Sequence, residues 1–185
     1  MDKEIIEDAI KQFASAIEGL KKELTKVRTG RANPALLDGV RVDYYGVPTP
    51  LNQMAAIQIP DARLIVVKPW DKSALGLIEK ALNEADIGIS PQNDGEIIRL
   101  PIPPLTEERR KEFVKVARAK GEDARIAVRN VRRDANEMLK ETQKDGGITE
   151  DDLRRALEKT QEETDKYVAM VDDILGKKEK EIMQI

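Results

Sequence analysis

A chain of 185 residues is long enough for one good core or two small ones, and 36% charged residues with only 3% aromatics suggest long exposed helices packed through aliphatic seams. It contains neither Cys nor His, which excludes disulfides, thiolate nucleophiles and cysteine-zinc sites and removes the commonest general base near neutral pH. The net charge of −3 weighs against nucleic-acid binding on the overall sum, so any phosphate contact needs a local excess of Lys and Arg.

The first residues, Met1-Asp2-Lys3-Glu4, are acidic where a presequence would be basic, and no long apolar run follows. A cytoplasmic protein with no membrane contact is the expectation. From Ile6 the apolar residues fall at Ile6, Ile10, Phe13, Ile17, Leu20, Leu24 and Val27, in alternating steps of four and three. That is a coiled-coil seam. Thr29-Gly30, with Asn33-Pro34 beyond, reads as the helix stop.

Residues 31–104 have a different texture, rich in proline and in β-forming runs, and read as an inserted domain. The pattern predicts strands over Val40 to Tyr45, Met54 to Ile59, Leu64 to Val67 and Glu96 to Ile102, a further short strand around Ile87 and Ile89, and a helix over Ser73 to Asn83. Trp70 is expected to be a packing residue. Two linkers, 29–34 and 101–106, join the insert to the rest. The hinge residues are Thr29, Gly30, Arg31, Pro103, Pro104 and Leu105.

A second helical run opens at Pro103-Pro104-Leu105-Thr106, where Thr106 can cap and Glu107 and Glu108 suit the positive end of the dipole. Its seam, Ala117, Gly121, Ala124, Val128, Val131, Ala135 and Met138, is small enough for close helix approach. After Asp145-Gly146-Gly147 a third run starts at Thr149, with Asp152 completing an approximate capping box. It continues through Leu153, Leu157, Thr160, Thr164, Tyr167, Val171 and Ile174. The expected fold is α+β: an elongated antiparallel three-helix bundle of residues 1–30 and 105–185, with a small inserted β/α/β domain. The carboxylates around Asp145 to Asp152 lack the ligand spacing of a calcium loop, so neither metal nor cofactor is expected.

Residues 107–144 carry 12 basic and 8 acidic side chains, whereas 145–185 carry 7 and 12. At about 100° per residue, Lys111, Arg118, Arg125, Arg129, Arg132 and Asn136 align on one flank of the second run, and no acid is expected to interrupt the line. Such a row can contact successive phosphates while the opposite side packs. Alternatively, it pairs with the acidic third run across the bundle. The choice of Arg four times in succession favours phosphate, because surface ion pairs accept Lys and Arg alike. No nucleotide-cradling glycine loop is present.

Three stretches, Arg28-Thr29-Gly30-Arg31-Ala32-Asn33-Pro34, Pro103 to Arg110 and Val128-Arg129-Asn130-Val131-Arg132-Arg133-Asp134-Ala135-Asn136, together resemble the bacterial ribosome recycling factor family. The similarity also covers Asp43-Tyr44-Tyr45-Gly46 and Pro48-Thr49-Pro50. It implies an L-shaped, non-enzymatic molecule acting as a monomer. Its implied partners are large-subunit rRNA on the post-termination ribosome and elongation factor G with GTP, and its job is to split the subunits and release mRNA and tRNA. The resemblance puts Arg132 at the centre of ribosome binding and matches Arg28 and Arg31 near the hinge as candidate additional contacts, while the flank pattern adds Arg129, Arg125, Arg118, Lys111 and the adjacent Arg133 as further rRNA contacts. The competing expectation is a helical adaptor or chaperone-like protein, which would leave an apolar groove open along the seams.

Overall fold

The computed structural model describes residues 1–184. They form two compact units, Met1–Val27 with the chain from Arg110 onward, and Arg28–Arg109.

The first unit is built from three helices, α1 (Asp2–Thr25), α3 (Glu107–Lys144) and α4 (Glu150–Met183), the numbering leaving α2 for the other unit. The seams meet as two buried clusters. Phe13 and Ala9 of α1 pack with Val128 and Ala135 of α3, and Ile17, Leu20 and Leu24 pack with Ala117, Ala124, Val171, Leu175 and Ile182. Rising numbers on α1 meet falling numbers on α3 and rising ones on α4, so α3 runs antiparallel to both. A side chain at Gly121 would bring its Cβ within 2.8 Å of Leu175 Cδ2, which is the close helix approach that the small seam permits. Thr149 and Asp152 form a reciprocal capping box at the start of α4, and Thr106 Oγ1 accepts from the Arg109 N–H at 3.3 Å at the start of α3. Arg110 reaches the carbonyls of Ile182 and Gln184.

Two details of the seams depart from the sequence pattern. The first helix ends at Thr25, four residues before the expected stop. Its last turn tightens through Lys26 N–H to Glu23 O and Val27 N–H to Leu24 O, and Thr25 Oγ1 caps Lys22 O at 2.6 Å. On α3 the seam steps from Ala135 to Leu139, which is fully buried, and leaves Met138 half exposed. A straight helix of 3.6 residues per turn drifts against a strict heptad, and here it favours the step of four.

The second unit contains a hairpin, β1 (Arg41–Tyr44) with β2 (Val47–Pro50), and an antiparallel four-stranded sheet. The sheet has the order β3 (Ala55–Asp61), β4 (Leu64–Pro69), β6 (Ile98–Pro101), β5 (Gln92–Asn93). The helix α2 (Leu75–Glu84) lies between β4 and β5 in sequence. Its face Leu75, Ile78, Ala81 and Leu82 closes a core with Val42, Leu51, Ile65, Val67, Ile98 and Leu100. The strand β2 went unpredicted because of its two prolines. Tyr45 (φ 52°) and Gly46 (φ 82°) make a two-residue turn with both residues left-handed. Ladder bonds then fall on Tyr44↔Val47 and Val42↔Thr49, and Pro48 and Pro50 sit where no N–H is needed.

The expected strand around Ile87 and Ile89 does not form. Asp86 and Gly88 both have positive φ, which breaks an extended run, and the partner of β6 is Gln92–Asn93 instead. Trp70 is also corrected. Its backbone N–H reaches Met54 O, but its side chain is 67% exposed just past the end of β4.

Candidate nucleic-acid interface

The basic flank of α3 faces α4 along one edge of the bundle, and the structure divides it into two stretches. At Arg118 the guanidinium grips Glu179 in a fork, Nε to Oε1 at 2.7 Å and Nη2 to Oε2 at 3.1 Å. The pairing holds the Glu179 carboxyl below its usual range and raises Arg118. Arg125, only 21% exposed, donates from Nε and Nη2 to Asp172 Oδ1 and from Nη1 to Glu122 Oε2 at 3.1 Å. Pairing across the bundle, the alternative considered for this flank, therefore holds at Arg118 and Arg125.

Glu122 also corrects the reading of an acid-free line. It lies four residues after Arg118 and three before Arg125, on the same face. Besides Arg125 it accepts from Arg129 Nη1 at 3.2 Å. Arg133, next in sequence to Arg132, is exposed and pairs with its neighbour Asp134 at 3.4 Å.

Arg132 differs from all of these. Its Nη1 donates to the side-chain oxygen of Gln161 at 3.1 Å, and among the described residues it forms no ion pair. Gln161 in turn donates from Nε2 to Asp165 Oδ1 at 2.7 Å. The Oδ1 of Asn136, one turn beyond Arg132, is buried and has no hydrogen-bond partner among the described residues. Lys111 is exposed at the start of the row.

The residues expected at the hinge fall in the second unit. Thr29 is buried, and Gly30 has φ 75°, with any Cβ there 3.3 Å from Leu105 Cγ. Arg31, Pro103 and Pro104 are exposed. Two backbone bonds, Ala32 N–H to Ala62 O at 2.7 Å and Ile102 N–H to Arg63 O at 2.8 Å, attach these segments to the β3–β4 turn. Arg28 donates to the carbonyl of Ile87, which gives it a local structural task.

Sequence reasoning missed Glu122, Gln161 and Asp165. The signal existed. The residue numbers of Arg118 with Glu179 and of Arg125 with Asp172 have one common sum, set by the turn at 145–149, and the same sum applied to Arg132 gives Asp165, with Gln161 one helical turn before it. It also missed the exposed aromatics of the second unit, Tyr45 at 80% and Trp70. Among the described residues, no group of three or more Asp or Glu is arranged to hold a metal ion, and no helix is long and apolar enough to cross a membrane.

A family model described as ribosome recycling factor matches residues 20–183. Over its whole length the chain is 53% identical to a ribosome-recycling factor of Halalkalibacterium halodurans and 54% identical to one of Myxococcus xanthus, and each relative is covered in full. A solution structure of the ribosome recycling factor matches with a TM-score of 0.78 at 41% identity, covering all of this chain and 98% of that one. A chain from models for the T. thermophilus ribosome recycling factor and the E. coli elongation factor G bound to the E. coli post-termination complex matches with a TM-score of 0.67 at 43% identity, both chains covered in full. The shared fold and the full-length identity make this chain a member of the ribosome recycling factor family.

Proposed function

We propose that this protein recycles ribosomes in the cytoplasm: it binds large-subunit rRNA of the post-termination ribosome through the α3 flank and, with elongation factor G and GTP, promotes subunit splitting and release of mRNA and tRNA. The observation that carries the interface is how the row is paired. Arg132 keeps a guanidinium without a carboxylate beside it, so a phosphate meets a full positive charge there. Arg129 and Arg133 flank it, each held only by an exposed acid, which contributes little and is readily exchanged for a phosphate. Arg118, Arg125 and Lys111 extend the footprint. The first two must surrender Glu179 and Asp172, so their contribution to binding is smaller.

No bond is made or broken by this chain. Binding energy positions the bundle on RNA, and residues 31–104 turn as a unit about 29–34 and 101–106 while the GTPase drives separation. Gly30, left-handed and close to Leu105, and the Pro103-Pro104 pair limit that turn to a few backbone angles. Arg31, exposed beside the hinge, is available for a further ribosome contact, whereas Arg28 is occupied with Ile87. The adaptor reading loses support because the seams close on one another: Phe13, Val128, Leu139 and Val171 are completely buried.

Cosedimentation with large subunits at two salt concentrations tests the proposal. Binding should weaken as salt rises, and Arg132→Ala should flatten that dependence because with one phosphate contact fewer, fewer counterions are released. Salt-independent binding, or an Arg132→Ala protein with the parent's affinity and slope, would refute the assignment.

A further inference from the structure

We infer that Gln161, oriented by Asp165, is a positioning residue for Arg132: it holds the guanidinium by a neutral hydrogen bond and so aims it without neutralising it. The inference rests on the proposed contact between Arg132 and RNA phosphate.

The chemistry of the three side chains fixes the arrangement. Arg132 can only donate, so it takes the amide oxygen of Gln161; Asp165, ionised, can only accept, so it takes the amide nitrogen. The two contacts, 3.1 and 2.7 Å, therefore admit one orientation of the amide. Asp165 lies one turn beyond Gln161 on α4, where the i to i+4 spacing suits an amide–carboxylate bond. The neighbouring arginines show what happens without the spacer. At the equivalent positions along α4, Arg118 meets Glu179 directly and Arg125 meets Asp172 directly, and each makes with its partner a pair of nearly zero summed charge. At Arg132 the carboxylate is held one side chain further away. The guanidinium has one donor group fixed by Gln161, while its remaining N–H groups have no partner among the described residues.

Binding of large subunits to the full-length protein, with the variants Arg132→Ala, Gln161→Glu, Asp165→Ala and the double variant Arg132→Ala/Gln161→Glu, tests the inference. Thermal melting establishes that each is folded. Gln161→Glu places a carboxylate on Arg132, and affinity should fall by about two- to fivefold, in keeping with the modest strength of an exposed ion pair. The slope of log affinity against log salt should flatten by up to about one phosphate contact. A purely structural role for Gln161 would move the melting temperature and leave that slope alone. In the Arg132→Ala background the same change should have little further effect; an undiminished loss there would mean general repulsion and would overturn the inference. Asp165→Ala separates aiming from charge. Removing an acid raises affinity if charge alone matters, whereas loss of the amide's anchor leaves affinity at or below the parent's. A rise would overturn the inference. If Arg132→Ala itself binds like the parent, the RNA-contact reading fails; if only Arg132→Ala weakens binding and Gln161→Glu does not, the positioning role alone fails.

Discussion

In the sheet unit, ionised side chains serve the local backbone. Asp43, Asp61, Asp71 and Asp94 accept from the N–H groups of Gly46, Arg63, Ser73 and Ile97 at 2.8 to 3.0 Å, each closing a turn two or three residues long. In the bundle unit, by contrast, ionised side chains face one another across helices, as in Arg118 with Glu179, Arg125 with Asp172 and Lys120 with Glu23. A carboxylate tied into a turn is fully used by the fold. Ion pairs on a helix flank are nearly neutral to stability, so their geometry is free to be arranged for a partner. The cores differ in the same sense. The sheet unit gathers large side chains such as Ile65, Ile78, Ile98 and Leu100 into one cluster, whereas the bundle spreads Phe13, Ala117, Gly121 and Val128 along a narrow seam. One unit is a compact core with turns, the other a helical support for a row of cations.

If the bundle serves as that support, cutting its seam should do more harm than any change to its surface. Leu139→Ala, at a fully buried position, should lower unfolding free energy by about 2–5 kcal/mol in a denaturant titration. A loss under about 1 kcal/mol would place Leu139 outside the core. Next comes the closest approach of α3 and α4. Gly121→Val puts a branched side chain where even a Cβ is 2.8 Å from Leu175, and should cost about 1–3 kcal/mol despite better helix propensity. Thermal melting reads this directly, and a raised melting temperature would show that the helices separate easily.

The smallest effect sharpens the contrast in charge. Asp94 is held down to about 2, first by the N–H groups of Ile97 and Glu96 and then by Arg99. Because its folded value lies below the ordinary 3.8, the stabilisation it lends is fully present above that value and is lost as pH falls through about 2. Carboxyl NMR titration should find Asp94 near 2, and Arg99→Ala should raise it only part of the way. A full return to the ordinary value in that variant would make the ion pair, and not the turn, the main cause.

The bundle was legible because its signals are local and periodic. The steps of four and three from Ile6, the glycines at 146 and 147 and the pair Thr149 and Asp152 each carry their structure in adjacent residues. The drift from Met138 to Leu139 was not legible, since the seam's phase depends on how straight the helices run. Pro48 and Pro50 hid β2, because their acceptability depends on which register positions the Tyr45-Gly46 turn selects. Of the candidate site, the row from Arg118 to Arg132 was visible on one helix, but its partners lie on another. Whether a guanidinium meets Glu179, Asp172 or Gln161 is a property of helix pairing that composition alone does not carry.

If Arg132 is the cation kept for RNA while Arg125 is paired within the bundle, one experiment on two variants separates them. Large-subunit affinity and melting temperature are measured for Arg132→Ala and Arg125→Ala under the same conditions. Arg132→Ala should melt like the parent and lose about 1–3 kcal/mol of binding, the usual cost of removing a charged hydrogen-bonded contact. Arg125→Ala, partly buried and bound to Asp172 and Glu122, should lower stability by up to about 1 kcal/mol and bind with the smaller loss. An Arg132→Ala protein that is destabilised yet binds normally, or an Arg125→Ala protein with the larger binding loss, would contradict the account.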